Sequence, residues 1–162
     1  MQQRGRQRQH YLEAFYEGRR AYRNALRELA KVIRWIAKEA ILAIHTELIA
    51  EHGGSHGIRD AALLESTLAR SQNLASYADE PTLHELAAGY AFGIVKNHPF
   101  IGGNKRTGLM AAYVSLHLNG KRLVAAEIDT VVATTKLAAG KLTEAQLAAW
   151  LEKNSQPYTL RL

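Results

Sequence analysis

The feature that most constrains this chain is the run His98-Pro99-Phe100-Ile101-Gly102-Gly103-Asn104-Lys105-Arg106-Thr107-Gly108, set between two segments of helical apolar periodicity. Proline has no amide hydrogen and disfavours right-handed helical geometry in the residue before it, so the preceding helix should stop near Asn97 or His98. Gly102-Gly103 permits positive φ and a close approach of main chain. The helix that then opens at Asn104 begins with amides that have no partner inside it. Such a turn is an anion cradle: free amides, the positive end of the helix dipole, and Lys105 and Arg106 beside them all favour a phosphate. His98 stands a few residues upstream, where a side chain that titrates near neutral pH can act as a general base. Phe100 reads as the core anchor of the loop. Each residue alone has a plain alternative: a simple turn, a packed histidine, two solvated helix charges. Their combination is what points to phosphate chemistry.

Around this loop the pattern is helical nearly throughout, with apolar residues recurring at three and four positions, and it predicts an all-α bundle. An amphipathic helix is expected from Tyr11 to about Lys31, with Leu12, Phe15, Tyr22, Leu26 and Leu29 on one stripe. A second runs from about Ala37 to Glu51 and is stopped by His52-Gly53-Gly54. Asp60 can cap a third, to about Arg70. Thr82 and Glu85 have the spacing of a capping box, opening a helix through Val95. The next spans Asn104 to before Asn119, another roughly Asp129 to Ala139, and Thr143 with Gln146 caps the last. Leu123-Val124 is too short to argue for a sheet, and a small hairpin near Gly53 to Arg59 stays open.

At 162 residues the chain has one domain's worth of core. It contains no cysteine, which removes disulfides, thiolate zinc sites and a cysteine nucleophile, and fits a reducing cytosol. No apolar run approaches the roughly 18 residues that would span a bilayer, so a cytoplasmic, membrane-free protein is expected. The net charge of +6 suggests nucleic acid until it is located. Residues 1–34 hold nine Lys and Arg against three Asp and Glu, whereas residues 35–162 hold twelve of each. The excess is a basic N-terminal arm on a neutral domain, which argues against direct nucleic-acid binding by the domain itself. His52 and His56, four apart but among glycines, do not make a persuasive zinc site. His117 shares a helix side with Tyr113 and Leu109 and reads as packed.

The loop resembles the signature of the Fic/Doc family, His-Pro-Phe-x-(Asp/Glu)-Gly-Asn-Gly-Arg-x-x-Arg, aligned on His98 to Leu109. The run from about Trp35 to Leu151 is similar in order and spacing to the death-on-curing toxins of that family, covering roughly three quarters of the chain. The resemblance implies a compact helical Fic fold over residues 35–162, with the motif loop between two central helices. The arm of residues 1–34, with its extra amphipathic helix, lies outside it. Glu17-Gly18 only faintly resembles the family's inhibitory-helix signature, because Glu13 stands where Ser or Thr belongs.

Three departures from the signature matter. Lys105 replaces a glycine, as in the death-on-curing branch, and Leu109 replaces an arginine that resembles the terminal-phosphate clamp of adenylyl-transferring members. Together they imply a toxin of a toxin-antitoxin module that uses ATP to phosphorylate a protein hydroxyl, with elongation factor Tu as the expected substrate and an antitoxin protein as partner. An adenylyl (AMP) transferase and a catalytically retired antitoxin-binding module stay open as alternatives, as does a homo-oligomer. The implied catalytic residues are His98, Lys105 and Arg106. The implied phosphate-binding residues are Gly102, Gly103, Asn104, Lys105 and Arg106. Both branches carry an acidic magnesium ligand where this chain has Gly102, and a glycine cannot supply that oxygen, so magnesium binding and with it catalysis should be weakened, on the order of a hundredfold. On this ground Gly102→Asp should restore magnesium-dependent turnover. The loop from Ser55 to Arg59 stands where the family carries a flap that aligns a target segment by strand addition; a plain connector is the other reading.

Overall fold

The computed structural model describes residues 10, 12–24 and 32–159. The chain divides into two compact units, Met1–Ile33 and Arg34–Leu162. In the first, residues 12–24 are helical, and Leu12, Phe15, Tyr16 and Tyr22 are exposed. Leu26, Leu29 and the two ends of the helix expected there lie outside the described residues.

The second unit is all-α apart from one two-stranded sheet. Its elements are α1 (Lys38–His52), α2 (Ala61–Tyr77), α3 (Leu83–Asn97), α4 (Asn104–Leu118), β1 (Lys121–Leu123), α5 (Glu127–Ala138), α6 (Glu144–Lys153) and β2 (Ser155–Pro157). The caps follow from the residues named above. Gly53 ends α1 with φ 74°, its amide donating to the Ile49 carbonyl at 2.9 Å. The Asp60 carboxylate accepts from the Leu63 amide at 2.9 Å. Thr82 with Glu85, and Thr143 with Gln146, close full capping boxes.

Helix α3 is the centre of the unit. It is apolar around most of its circumference, as a helix with packed neighbours on several sides must be. Ala87, Ala88, Ala91 and Val95 pack with Ala112 and Leu116 of α4, Leu137 of α5 and Leu147, Ala148 and Leu151 of α6. Tyr90 and Ile94 face another cluster with Ile36, Ile41, Leu64, Leu68, Phe100 and Ala111. Small residues let its neighbours come close. A Cβ added at Gly93 would stand 2.8 Å from Thr67 Cγ2 of α2, and one at Gly108 of α4 would stand 3.1 Å from the Ala91 carbonyl oxygen. The motif loop therefore leads into a helix that approaches α3 closely at Gly108, against both Val95 and the main chain of Ala91.

Two elements differ from the sequence expectation. Helix α2 continues beyond Arg70 to Tyr77, because the polar stretch after Arg70 is satisfied in place: the Ser71 hydroxyl, fully buried, donates to the Leu86 carbonyl at 2.8 Å. The sheet pairs β1 with β2 antiparallel, Arg122 opposite Gln156, and joins segments some thirty residues apart in sequence, a pairing that local patterning does not reveal. His117 lies half-buried between Tyr113 and Tyr158, with ring centroids at 5.8 and 4.4 Å.

The sheet is tied to α3 by His84, whose Nε2 lies 2.7 Å from the Ser155 hydroxyl. Burial pushes the His84 imidazole below its ordinary pKa of 6.5, Glu152 opposing that shift and Lys121 adding to it. The fold thus favours the neutral ring. The corresponding stability is complete above the unfolded-state pKa near 6.5 and is lost as the pH falls below it. Urea unfolding at pH 7.5 and 5.5 should show a larger acid loss for the natural chain than for His84→Gln, which keeps a polar side chain but no titration. Equal losses would contradict this.

Candidate active site

Asn104 organises the motif loop. It is 4% exposed at the first position of α4, and its side chain reaches back across the loop. Its Oδ1 accepts from the Phe100 amide at 3.0 Å and its Nδ2 donates to the Phe100 carbonyl at 2.9 Å. Because Phe100 presents one donor and one acceptor, the amide orientation is fixed by its partners. The Phe100 ring is buried at 1% exposure. The remaining Nδ2 hydrogen faces His98 Nδ1 at 3.3 Å. In that arrangement the Asn104 amide donates and His98 Nδ1 accepts.

His98 ends α3 in the left-handed region, φ 47° and ψ 56°, where a non-glycine residue sits at a cost. That geometry reconciles the end of α3 with Pro99. It is held by Arg59, whose guanidinium donates to the His98 carbonyl at 2.6 Å and the Asn97 carbonyl at 2.7 Å, satisfying α3's last acceptors. The His98 side chain itself is exposed.

On the other side of the loop, Gly103 takes φ 72° as the residue preceding α4. No side chain caps that helix, so its first amides are free to meet an anion. Lys105 and Arg106 are both exposed there. They differ in engagement: Arg106 Nη1 lies 3.3 Å from the Gly53 carbonyl and 3.5 Å from that of His52, at the end of α1, whereas Lys105 has no acidic partner among the described residues. The structure thus brings His98, Phe100, Gly103 and Asn104 together around one loop. It sets Lys105 at the helix start and directs Arg106 towards α1. Leu109, one turn further, lines an apolar gap with Ala91, Val95 and Leu137, so the signature's final arginine position is turned into the packing here.

The segment before α2 closes over this loop. Ile58 pairs with Phe100 in an antiparallel bridge, the Arg59 amide donating to the Pro99 carbonyl at 2.7 Å and the Ile101 amide to the Gly57 carbonyl at 3.0 Å. Next to it, Gly102 touches main chain. A Cβ added there would stand 2.9 Å from the Ser55 nitrogen and 3.0 Å from its oxygen. Sequence reasoning singles out the Ser55 to Arg59 loop as a candidate flap, but not the contacts its two ends make: Ser55 seats on Gly102 and Arg59 holds the end of α3. It misses His45, buried under the loop, altogether. Each is unremarkable in sequence, a loop serine, a surface-type arginine and one histidine on an amphipathic helix. Only the tertiary contact reveals them.

The family model that matches this chain is that of the Fic/DOC family, over residues 35–116, which is 82 of 162 positions and includes the whole motif loop. The chain belongs to the Fic/DOC family. Among curated relatives, the Escherichia phage P1 protein named protein kinase doc is 33% identical over 88 residues, which are 54% of this chain and 70% of that protein. Toxin Doc of Mycolicibacterium smegmatis is 39% identical over 74 residues, 45% of this chain and 57% of that protein. The Fic/DOC match ends within α4, so β1, α5, α6 and β2 lie beyond it.

Magnesium does not fit this Fic/DOC loop as it stands. The donor set of His98, Asn104, Lys105 and Arg106 offers no carboxylate, the ligand that magnesium ordinarily takes from protein. The place from which an acidic side chain would project at position 102 is covered by Ser55 main chain. The structure therefore adds a steric condition to the expected rescue by Gly102→Asp, since the 53–58 segment must move first. Gly102→Ala separates the two effects. Both substitutions should speed hydrogen exchange at the Arg59 and Ile101 amides, which make the bridge, and only Gly102→Asp should raise magnesium-dependent ATP turnover. Unchanged exchange in Gly102→Ala would contradict the steric contact, and a Gly102→Asp protein no more active than the natural chain would show that position 102 does not disable the site.

Proposed function

We propose that this chain is a Doc-type toxin whose motif loop binds the phosphates of ATP and transfers the terminal one to a protein hydroxyl, slowly because position 102 gives no metal ligand. The observation that carries this is the α4 N-terminus: Gly103 in the left-handed conformation, no side-chain cap among the described residues, and Lys105 exposed at the first turn. A lysine there suits a transferring phosphate as a point charge. The packing of Leu109 into the α3 and α5 interface speaks against the adenylyl-transfer alternative, which needs a cation at that position.

In such a site Asn104 keeps the loop closed, and the amides of Gly103 to Arg106 with Lys105 neutralise the phosphates. His98 takes the proton of the substrate hydroxyl. The accepting nitrogen is Nδ1, and its 3.3 Å contact with Asn104 is long enough to yield to a hydroxyl. The hydroxyl oxygen gains a bond to phosphorus as the bond from that phosphorus to ADP breaks, and ADP leaves with the electron pair. Ile58 favours a strand-like partner for the target segment. One of its edges pairs with Phe100, while its own amide and carbonyl have no main-chain partner among the described residues.

The relatives are named a protein kinase and a toxin, which favours a toxin that phosphorylates protein. The resemblance of the motif to the death-on-curing branch is what suggests an antitoxin partner and elongation factor Tu as substrate. One observation favours a second reading, a retired module that still binds its antitoxin: the Ser55 main chain lies against Gly102 where a ligand side chain would be. Mass spectrometry of purified elongation factor Tu after incubation with ATP, magnesium and this protein decides. A mass increase of one phosphate is expected, slow for the natural chain. An adenylyl adduct, or no adduct even with Gly102→Asp, would overturn the proposal.

A further inference from the structure

His45 is 4% exposed on α1, beneath the motif loop. Its ring lies parallel to that of Phe100, with centroids 4.0 Å apart and planes at 9°, and its Nε2 is 2.9 Å from the Gly102 carbonyl oxygen. A carbonyl can only accept, so Nε2 carries a hydrogen and donates. This contact bears on the cradle because of peptide geometry. In a trans peptide the C=O and the following N–H point in opposite directions. With the Gly102 carbonyl turned inwards to His45, the Gly103 amide must point the other way, outwards from the loop. It has no main-chain partner among the described residues.

The linkage between two glycines is the one in the loop that can turn over most cheaply, since neither flank has a Cβ to resist it. Turned over, it would present a carbonyl oxygen where an anion should sit and withdraw an N–H from it. We propose that His45 is the latch against this flip: a positioning residue that holds the Gly102–Gly103 peptide in its anion-binding orientation, acting through main chain without touching the ligand. Stacking on Phe100 sets the ring plane, and the hydrogen bond does the latching. The inference rests on the phosphate-site reading given above.

Two substitutions separate latching from packing. His45→Phe keeps an aromatic ring against Phe100 and removes the donor. His45→Gln gives up the stacking and restores an amide donor at similar reach. The test is NMR titration of the three proteins with ATP, following the amides of Gly103, Lys105 and Arg106, together with hydrogen exchange at the same amides. The expected result is about tenfold weaker ATP binding in His45→Phe, the scale of one lost hydrogen bond plus loop misplacement, with most of it regained in His45→Gln. Equal affinity in His45→Phe and the natural chain, or a His45→Gln protein as weak as His45→Phe, would overturn the latch. If ATP moves no amide even in the natural chain, the phosphate-site reading falls and the latch is judged by exchange alone. Slower exchange of Gly103 in His45→Phe, as its N–H turns inwards, restored in His45→Gln, supports it, and identical exchange in all three refutes it.

Discussion

The candidate site depends on one buried side chain. Asn104 spends both ends of its amide on Phe100 main chain, closing the turn between α3 and α4 over four residues. A buried, fully paired amide of this kind is specific as well as stabilising, because almost any other residue would leave the Phe100 N–H or C=O without a partner. From this clamp the rest follows. Phe100 is fixed in the core, Pro99 and Ile101 present main chain to the 57–59 segment, and Gly103 is left to start α4 with its amides outwards. The clamp works only because α3 and α4 are held at a defined distance, and Gly108 against Ala91 supplies that distance.

The loop is held from three directions by residues that do not belong to its motif. Arg59 ties the carbonyls at the end of α3, Ser55 lies on Gly102, and His45 takes the Gly102 carbonyl from below. Position 102 is thus engaged on both sides through its main chain. A chain with an acidic residue there could not keep the Ser55 contact as it stands, so loss of the carboxylate and close seating of the 53–58 segment go together. That seating is a physical reason to expect low activity on the proposed reading, separate from the proposed lack of a metal ligand at position 102.

Much of this was legible in sequence where the determinants are local. The capping boxes at Thr82 and Thr143, the Asp60 cap, the glycine stop at Gly53 and the proline stop before Pro99 each depend on residues within four positions of one another. The motif itself is local as well. What could not be read was set by distant contacts. Helix α2 runs on to Tyr77 because Ser71 finds a carbonyl on α3, and β1 finds β2 across two helices. His45 meets Gly102 only after α1 has packed under the loop. No periodicity distinguishes that histidine from the other residues of its helix.

In the proposed phosphate site at the start of α4, Lys105 has no acidic partner among the described residues, whereas Arg106 is partly occupied with the carbonyls of His52 and Gly53. Calorimetric titration of the natural protein and of Lys105→Ala with ATP tests that site most directly. The natural chain is expected to bind, and Lys105→Ala to bind at least about tenfold more weakly, as loss of a charge-assisted contact should cause. No binding by the natural chain, or equal affinity in Lys105→Ala, would contradict it.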